Sequence, residues 1–213
     1  LPIYLNADSS RMFYTEYVNK IKNILDIDLS NFDTSKVTNM DGMFYSMSNL
    51  TTLNLSNFDT SKVTNMHYMF NGMSNLTTLD LSNFDTSKVT DMSYMFYGMS
   101  KLTNLDVTHF DTSKVLWMGY MFSGMSSLTN LDVTKFDTSK VTDMNHMFHL
   151  DSKLTNLNVS GPRFNTSNVT NMRSMFSDMP KLTSLNLSNF DTSKVTDMSD
   201  MFFNASNLKT LNL

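Results

Sequence analysis

His146-x-x-His149, with Asp143 close upstream, has the spacing of two metal ligands on one face of a helix. No third ligand stands at a matching interval, so exposed polar residues account for the pair as well. The other two histidines, His67 and His109, lie in separate stretches, and the sequence gathers no acid, base and nucleophile. The chain has no cysteine, which excludes thiolate metal sites and disulfides. Carboxylates recur more regularly, at Asp33, Asp59, Asp85, Asp111, Asp137 and Asp191, each followed three residues later by Lys36, Lys62, Lys88, Lys114, Lys140 and Lys194. One segment replaces both residues, with Asn165 and Asn168. Calcium along the Asp column is one reading, but calcium loops gather more oxygens per site. The paired loss points instead to a local Asp–Lys interaction. The expectation is a non-catalytic protein with no catalytic residues, no cofactor and no metal.

These residues are positioned by a repeat. The phrase Phe-Asp-Thr-Ser-Lys-Val-Thr begins at Phe32, Phe58, Phe84, Phe136 and Phe190, and variants begin at Phe110 and Phe164. Five of the six intervals are 26 residues, and the interval from Phe136 to Phe164 is 28, with the extra residues near Gly161-Pro162-Arg163. Residues 27–213 therefore read as about seven units in a single repeat domain, and residues 1–26 as a degenerate N-terminal capping unit that keeps Ser10-Arg11-Met12-Phe13. One such unit cannot bury its own apolar face; stacked units cover each other.

Within the unit from Phe58, Leu79 and Leu81 alternate with Thr78, Asp80 and Ser82, which predicts a short strand. Val63, Met66, Met69, Phe70, Met73 and Leu76 recur at spacings that fall on one side of a helix, which predicts a short helix over residues 65 to 73. The expected fold class is thus an α/β repeat solenoid, a leucine-rich-repeat-like right-handed array with one short parallel strand and one short helix per unit. The 20 methionines then read mostly as core filler.

The phrases Phe-Asp-Thr-Ser-Lys-Val-Thr-Asn-Met-Asp-Gly-Met-Phe from Phe32, and Leu-Thr-Thr-Leu-Asp-Leu-Ser-Asn-Phe-Asp-Thr-Ser-Lys-Val from Leu76, resemble the BspA-type leucine-rich repeats of bacterial surface proteins. The resemblance covers residues 24–213, with a looser fit over 3–23. That family often carries Cys where this chain has Met47, Met73, Met99, Met125 and Met179. The resemblance implies an extracellular location on a bacterial cell surface and adhesion to a host or matrix protein or glycan; it implies no catalytic residues. A structural stalk or spacer that displays another domain is the alternative.

Two surfaces are candidates for contact. The strand's polar face carries Asn54, Asp80, Asp106, Asp132 and Asn158, on what is the concave side of a leucine-rich array. A purely structural hydrogen-bond ladder is the competing reading, since hot spots favour Trp, Tyr and Arg. Tyr68, Tyr94, Tyr120 and His146 share one outward slot and are expected to stack as a column across four units, with Tyr97 in another slot. Beside them Leu116-Trp117, holding the only Trp, replaces the Thr-Asn or Thr-Asp of the other units and surrenders what reads as a helix cap. The expected ligand-binding aromatic patch is Leu116, Trp117, Tyr68, Tyr94, Tyr97 and Tyr120, with local packing of the indole as the alternative. The net charge of −4, with basic residues spread evenly, argues against nucleic-acid binding. No apolar run is long enough to insert in a membrane. The start at Leu1-Pro2-Ile3 shows no secretory signal and reads as that of a trimmed fragment, and the end falls inside a strand motif.

Overall fold

The computed structural model describes residues 1–14 and 23–213. Each repeat forms one rung, and successive rungs lie side by side in parallel. Single-residue parallel bridges link Asp8 to Asn39, Asn39 to Asn65, and onward through Asp91, Trp117, Asp143 and Asn171 to Asp197. Among the described residues, short strands form three parallel pairs. β1 (Ile3–Tyr4) lies beside β2 (Phe32–Asp33), β3 (Asn130–Asp132) beside β4 (Asn156–Asn158), and β5 (Ser184–Asn186) beside β6 (Thr210–Asn212). Leu131 faces Leu157 and Leu185 faces Leu211, so the last two pairs are offset by one whole unit.

The expected helix in each unit is overturned, and with it the α/β solenoid: no α-helix occurs among the described residues. A helix would send each N–H to the carbonyl four residues back. Here Met66, Tyr68, Phe70 and Gly72 donate their N–H groups to the carbonyls of Asp91, Ser93, Met95 and Tyr97 in the next rung, at 2.7–3.1 Å. The intervening Met69, Asn71 and Met73 donate three residues back, to Met66, Tyr68 and Phe70, at 3.0–3.3 Å. The segment is a run of tight turns whose alternate donors point along the stack. Left-handed backbone enforces this. Tyr68 and Gly72 have φ of 56° and 74°, and the same two slots are left-handed at Tyr94 and Gly98 and at Tyr120 and Gly124. An α-helix of L-residues does not continue through such positions.

The one-strand-per-unit expectation is corrected too. Residues 53–55, 79–81 and 105–107 form no strand. The main-chain hydrogen bonds between those rungs are made at the methionine segment and at the threonine two residues before it, with no ladder at the Leu-x-Leu run.

Three-residue turns turn side chains inward at the same interval as a helix face, so the apolar pattern still marks the core. Val63, Met66, Met69, Phe70, Met73 and Leu76 are all fully buried. Phe44, Phe70, Phe96, Phe122, Phe148 and Phe176 form a continuous column with centroids 5.7–5.9 Å apart and planes within 12° of parallel. That is the offset-stacked arrangement aromatic rings favour. The residues that open each phrase, such as Phe84 and Phe110, tilt against the column ring of the preceding rung.

A buried threonine joins each rung to the next on another side. Thr60 Oγ1 donates to the Asp85 carbonyl at 2.9 Å and accepts the Asp85 N–H at 2.8 Å. Thr34, Thr112, Thr138 and Thr166 do the same for Asp59, Asp137, Asn165 and Asp191. Each hydroxyl satisfies two main-chain groups of the next rung.

At the amino end, Ser9, Arg11 and Phe13 donate N–H groups to Asn39, Asp41 and Met43, so residues 8–14 lie on the first full rung. The remainder of the expected capping unit includes residues 15–22, which lie outside the described residues. The two-residue insertion is absorbed in a local turn, with Phe164 N–H on Gly161 O and Thr138 N–H on Arg163 O, and the Asp143–Asn171 bridge stays intact.

Thr60→Val keeps the shape of the side chain and strands two buried main-chain groups, so we expect a loss of about 1–3 kcal/mol in urea unfolding, largely recovered by Thr60→Ser. Gly98→Ala is expected to lose about 1–2 kcal/mol. The nearest atom to an added Cβ there is Gly72 Cα at 3.9 Å, so that loss reports the φ of 70° and not a collision.

Candidate binding surface

The left-handed slots that prevent a helix also aim a column of side chains outward. Tyr68, Tyr94, Tyr120 and His146 have φ of 54–59°, so four successive rungs project their rings in the same direction. The rings lie over one another with centroid separations of 4.7, 4.5 and 4.3 Å. From Tyr94 to His146 the planes are within 8° of parallel. Tyr97 leans on the column, 5.8 Å from Tyr94 and 6.0 Å from Tyr120. Tyr45 meets Tyr68 edge to face at 5.6 Å, and His149 meets His146 in the same way at 5.2 Å. The result is a half-buried aromatic ribbon whose inner rings have both faces covered by neighbours. Edges and hydroxyls are what it presents. Burial pushes the hydroxyls of Tyr68, Tyr94 and Tyr120 up, Tyr94 to about 12 with the adjacent phenols contributing. The phenols are therefore neutral donors at physiological pH.

The structure thus brings together Tyr68, Tyr94, Tyr97 and Tyr120, but it does not join Trp117 to them. Trp117 makes no ring contact among the described residues and is 43 % exposed. It occupies the bridge position between Asp91 and Asp143. Its slot is not a helix cap. In the other rungs this side chain accepts the N–H two residues on: Asn39 from Asp41, Asn65 from His67, Asp91 from Ser93, Asp143 from Asn145, at 2.8–3.0 Å. Trp117 forgoes that turn bond. Leu116 likewise interrupts a column in which Thr64, Thr90, Thr142 and Thr170 donate to a carbonyl of the preceding rung.

On the strand's polar face, Asn54, Asp80, Asp106, Asp132 and Asn158 each accept the N–H two residues on, from Ser56, Ser82, Thr108, Thr134 and Ser160, at 2.9–3.0 Å. Those bonds hold the three carboxyls below their usual range; the leading partner is the Ser82 N–H for Asp80 and the Thr108 and Thr134 hydroxyls for the other two. Asn156 and Asn130 join side chain to side chain at 2.8 Å. An open cleft of about 370 Å³ runs along β3 and β4, lined by Asp132, Asn158 and Ser184 among others.

The expected Asp–Lys interaction is replaced by a turn. Asp33, Asp59, Asp85 and Asp191 accept from Ser35, Ser61, Ser87 and Ser193, and the serines, ahead of any lysine, lower these carboxyls. No Asp–Lys ion pair occurs among the described residues. Where the pair is lost, Asn168 Nδ2 donates to the Ser139 carbonyl at 2.8 Å and its Oδ1 accepts Lys194 Nζ, so the amide ties three rungs together.

The histidine pair meets no third ligand, and among the described residues no three such side chains are placed to hold a metal. His149 Nδ1 lies 2.6 Å from Ser177 Oγ and 3.5 Å from Asp178 Oδ2. Both partners share one ring nitrogen, whereas a proton relay needs one on each. Burial lowers the pKa of both His146 and His149, which favours the neutral rings. Among the described residues no helix is long and apolar enough to cross a membrane.

A family model described as "Mycoplasma protein of unknown function, DUF285" matches residues 8–131 and again 118–212. No curated protein matches the chain.

Asp151, in the slot that holds methionine in neighbouring rungs, is fully buried. Its Oδ1 accepts the Met125 N–H at 2.9 Å, while Oδ2 has no partner. Burial pushes this carboxyl well above the usual range. A raised folded-state value means stability is fullest below the unfolded value near 3.8 and declines as pH rises toward the folded one. Thermal melts from pH 4 to 8 should show that decline, and Asp151→Met should abolish it while raising Tm at neutral pH by several degrees.

Proposed function

The chain belongs to that family, and from this premise we propose that it is a non-catalytic recognition module that binds a partner through its surface. The finer resemblance to BspA-type repeats supports an extracellular place on a bacterial cell surface and a host or matrix protein or glycan as the partner. The observation that carries the reading is the aromatic ribbon of Tyr68, Tyr94, Tyr120 and His146. Its slot does nothing for the core, since the corresponding positions elsewhere hold Gly42, Ser174 and Asp200 at the same left-handed backbone. Four consecutive rings there lower the solubility of the surface without being needed for the stack. Tyrosine is also a favoured interface residue, with a large rigid area and a polar tip.

The covered ring faces refine the partner. A sugar that stacks on an aromatic face finds the faces of Tyr94 and Tyr120 taken. Ring edges and neutral hydroxyls suit a protein surface that offers carbonyls and aliphatic groups. Trp117, three residues before Tyr120 in the same rung and exposed, would extend the contact as a separate anchor. A structural stalk is the second reading, favoured by the monotony of the threonine and Asx bonds along the whole stack.

The test is a double variant, Trp117→Ala with Tyr120→Ala, assayed for adhesion to matrix proteins and to cells. Loss of adhesion by tenfold or more with an unchanged fold supports the recognition module. Unchanged adhesion in a folded variant removes the ribbon and the tryptophan from that role.

A further inference from the structure

The ribbon has a ring-shaped gap in its own column. Counting from the bridge position, the same left-handed slot holds Arg11, Gly42, Tyr68, Tyr94, Tyr120 and His146 in six successive rungs. Gly42 has φ of 56°, identical to Tyr68, so its backbone is set to project a side chain that it lacks. A cavity of about 190 Å³ lies at this place, lined by Arg11, Tyr14, Gly42, Tyr45 and Tyr68. Neighbouring parallel chains are about 4.8 Å apart, so the backbones of Arg11 and Tyr68, two rungs apart, are about 9–10 Å from each other and leave one rung level between them.

We propose that this socket binds a planar, electron-rich aromatic ring, a phenol or an indole, in the position the column's next tyrosine would take. Tyr68, already stacked on Tyr94 at 4.7 Å, supplies one wall. Arg11 supplies the opposite wall; its guanidinium lies over the Tyr14 ring, 5.6 Å from the centroid, the same attraction to an electron-rich face that a guest ring would meet. Its Nε donates to Asp41 Oδ2 at 3.3 Å. Tyr45 closes the side, edge to face with both Tyr14 at 5.0 Å and Tyr68 at 5.6 Å. The three phenol oxygens would accept from a hydroxyl or ring N–H on the guest, and the guanidinium would donate to a guest hydroxyl oxygen. The ring could arrive as a free small molecule or as a side chain of a polypeptide; the chemistry is the same. The inference stands independently of the adhesion reading.

The test titrates indole, and separately the tripeptide Gly-Trp-Gly, into the isotope-labelled protein while the amide signals of Gly42, Tyr45 and Tyr68 are followed by NMR. Saturable shifts confined to these residues are expected. Gly42→Tyr should fill the socket from within and weaken binding at least tenfold. A tyrosine is tolerated at this φ in three other rungs, and the nearest atom to an added Cβ is the flexible Arg11 Cγ at 3.2 Å. Should that variant not fold, Arg11→Gln serves, with a three- to tenfold loss expected. Tighter binding of the tripeptide assigns the socket to a polypeptide side chain; equal or weaker binding assigns it to a free ring. No saturable shift with either probe, or undiminished binding to a folded Gly42→Tyr, overturns the proposal. The Trp117→Ala, Tyr120→Ala double variant should bind indole normally, which separates this site from the adhesion surface.

Discussion

The N–H groups of Met66, Tyr68, Phe70 and Gly72 have two sets of carbonyls within reach of their sequence: those four residues back, which would make a helix, and those of the next rung, which they use. Everything else in the stack follows from that choice. It repeats at Met40, Gly42, Phe44 and Ser46 and at Met92, Tyr94, Phe96 and Gly98, so each rung is a template for the next. It fixes the rung spacing, and the spacing brings the phenylalanine column into offset stacking. It also calls for left-handed residues at two slots, and one of these carries the ribbon. The buried threonine hydroxyls bond to the next rung on another side, so the backbone is satisfied there as well. A stack joined in this way gains stability from each neighbour.

Much of this was legible in the sequence. The 26-residue period, the two-residue insertion and the inward set from Val63 to Leu76 are visible in the residues alone. The helix was misread because turns of three residues and a helix face bury the same positions. The distinguishing signal was present: Gly72, Gly98 and Gly124 recur just before the third methionine, inside the supposed helix, where glycine marks a left-handed residue and not a helix interior. The repeating Asp-x-Ser and Asn-x-Ser pairs spell the Asx turns that the structure forms. The tyrosine column was legible because one slot recurs at one period. The left-handed backbone that aims its rings was not. The separation of Trp117 from the ribbon could not be read either, because adjacency along a helix was assumed where no helix exists. The cavity at Gly42 escaped for the opposite reason: a glycine among tyrosines reads as an ordinary departure until the backbone beneath it is seen to be the same.

The division of labour between slots supports a surface function. Slots that serve the stack are nearly invariant from rung to rung: the core methionines and phenylalanines, the buried threonine, and the Asx residues of the turns. The outward left-handed slot varies from glycine through tyrosine to aspartate with no change in φ. Backbone demand and side-chain identity are uncoupled there, which frees that column to present chemistry to a partner.

The central claim is that the methionine segment bonds across rungs and not within a helix. Scalar couplings transmitted through hydrogen bonds, measured by NMR on the labelled protein, test it most directly. The account requires a coupling between the Phe70 amide nitrogen and the Met95 carbonyl carbon, with its counterparts from Phe44 to Met69 and from Phe96 to Met121. Couplings from Phe70 to Met66, four residues back, would contradict it.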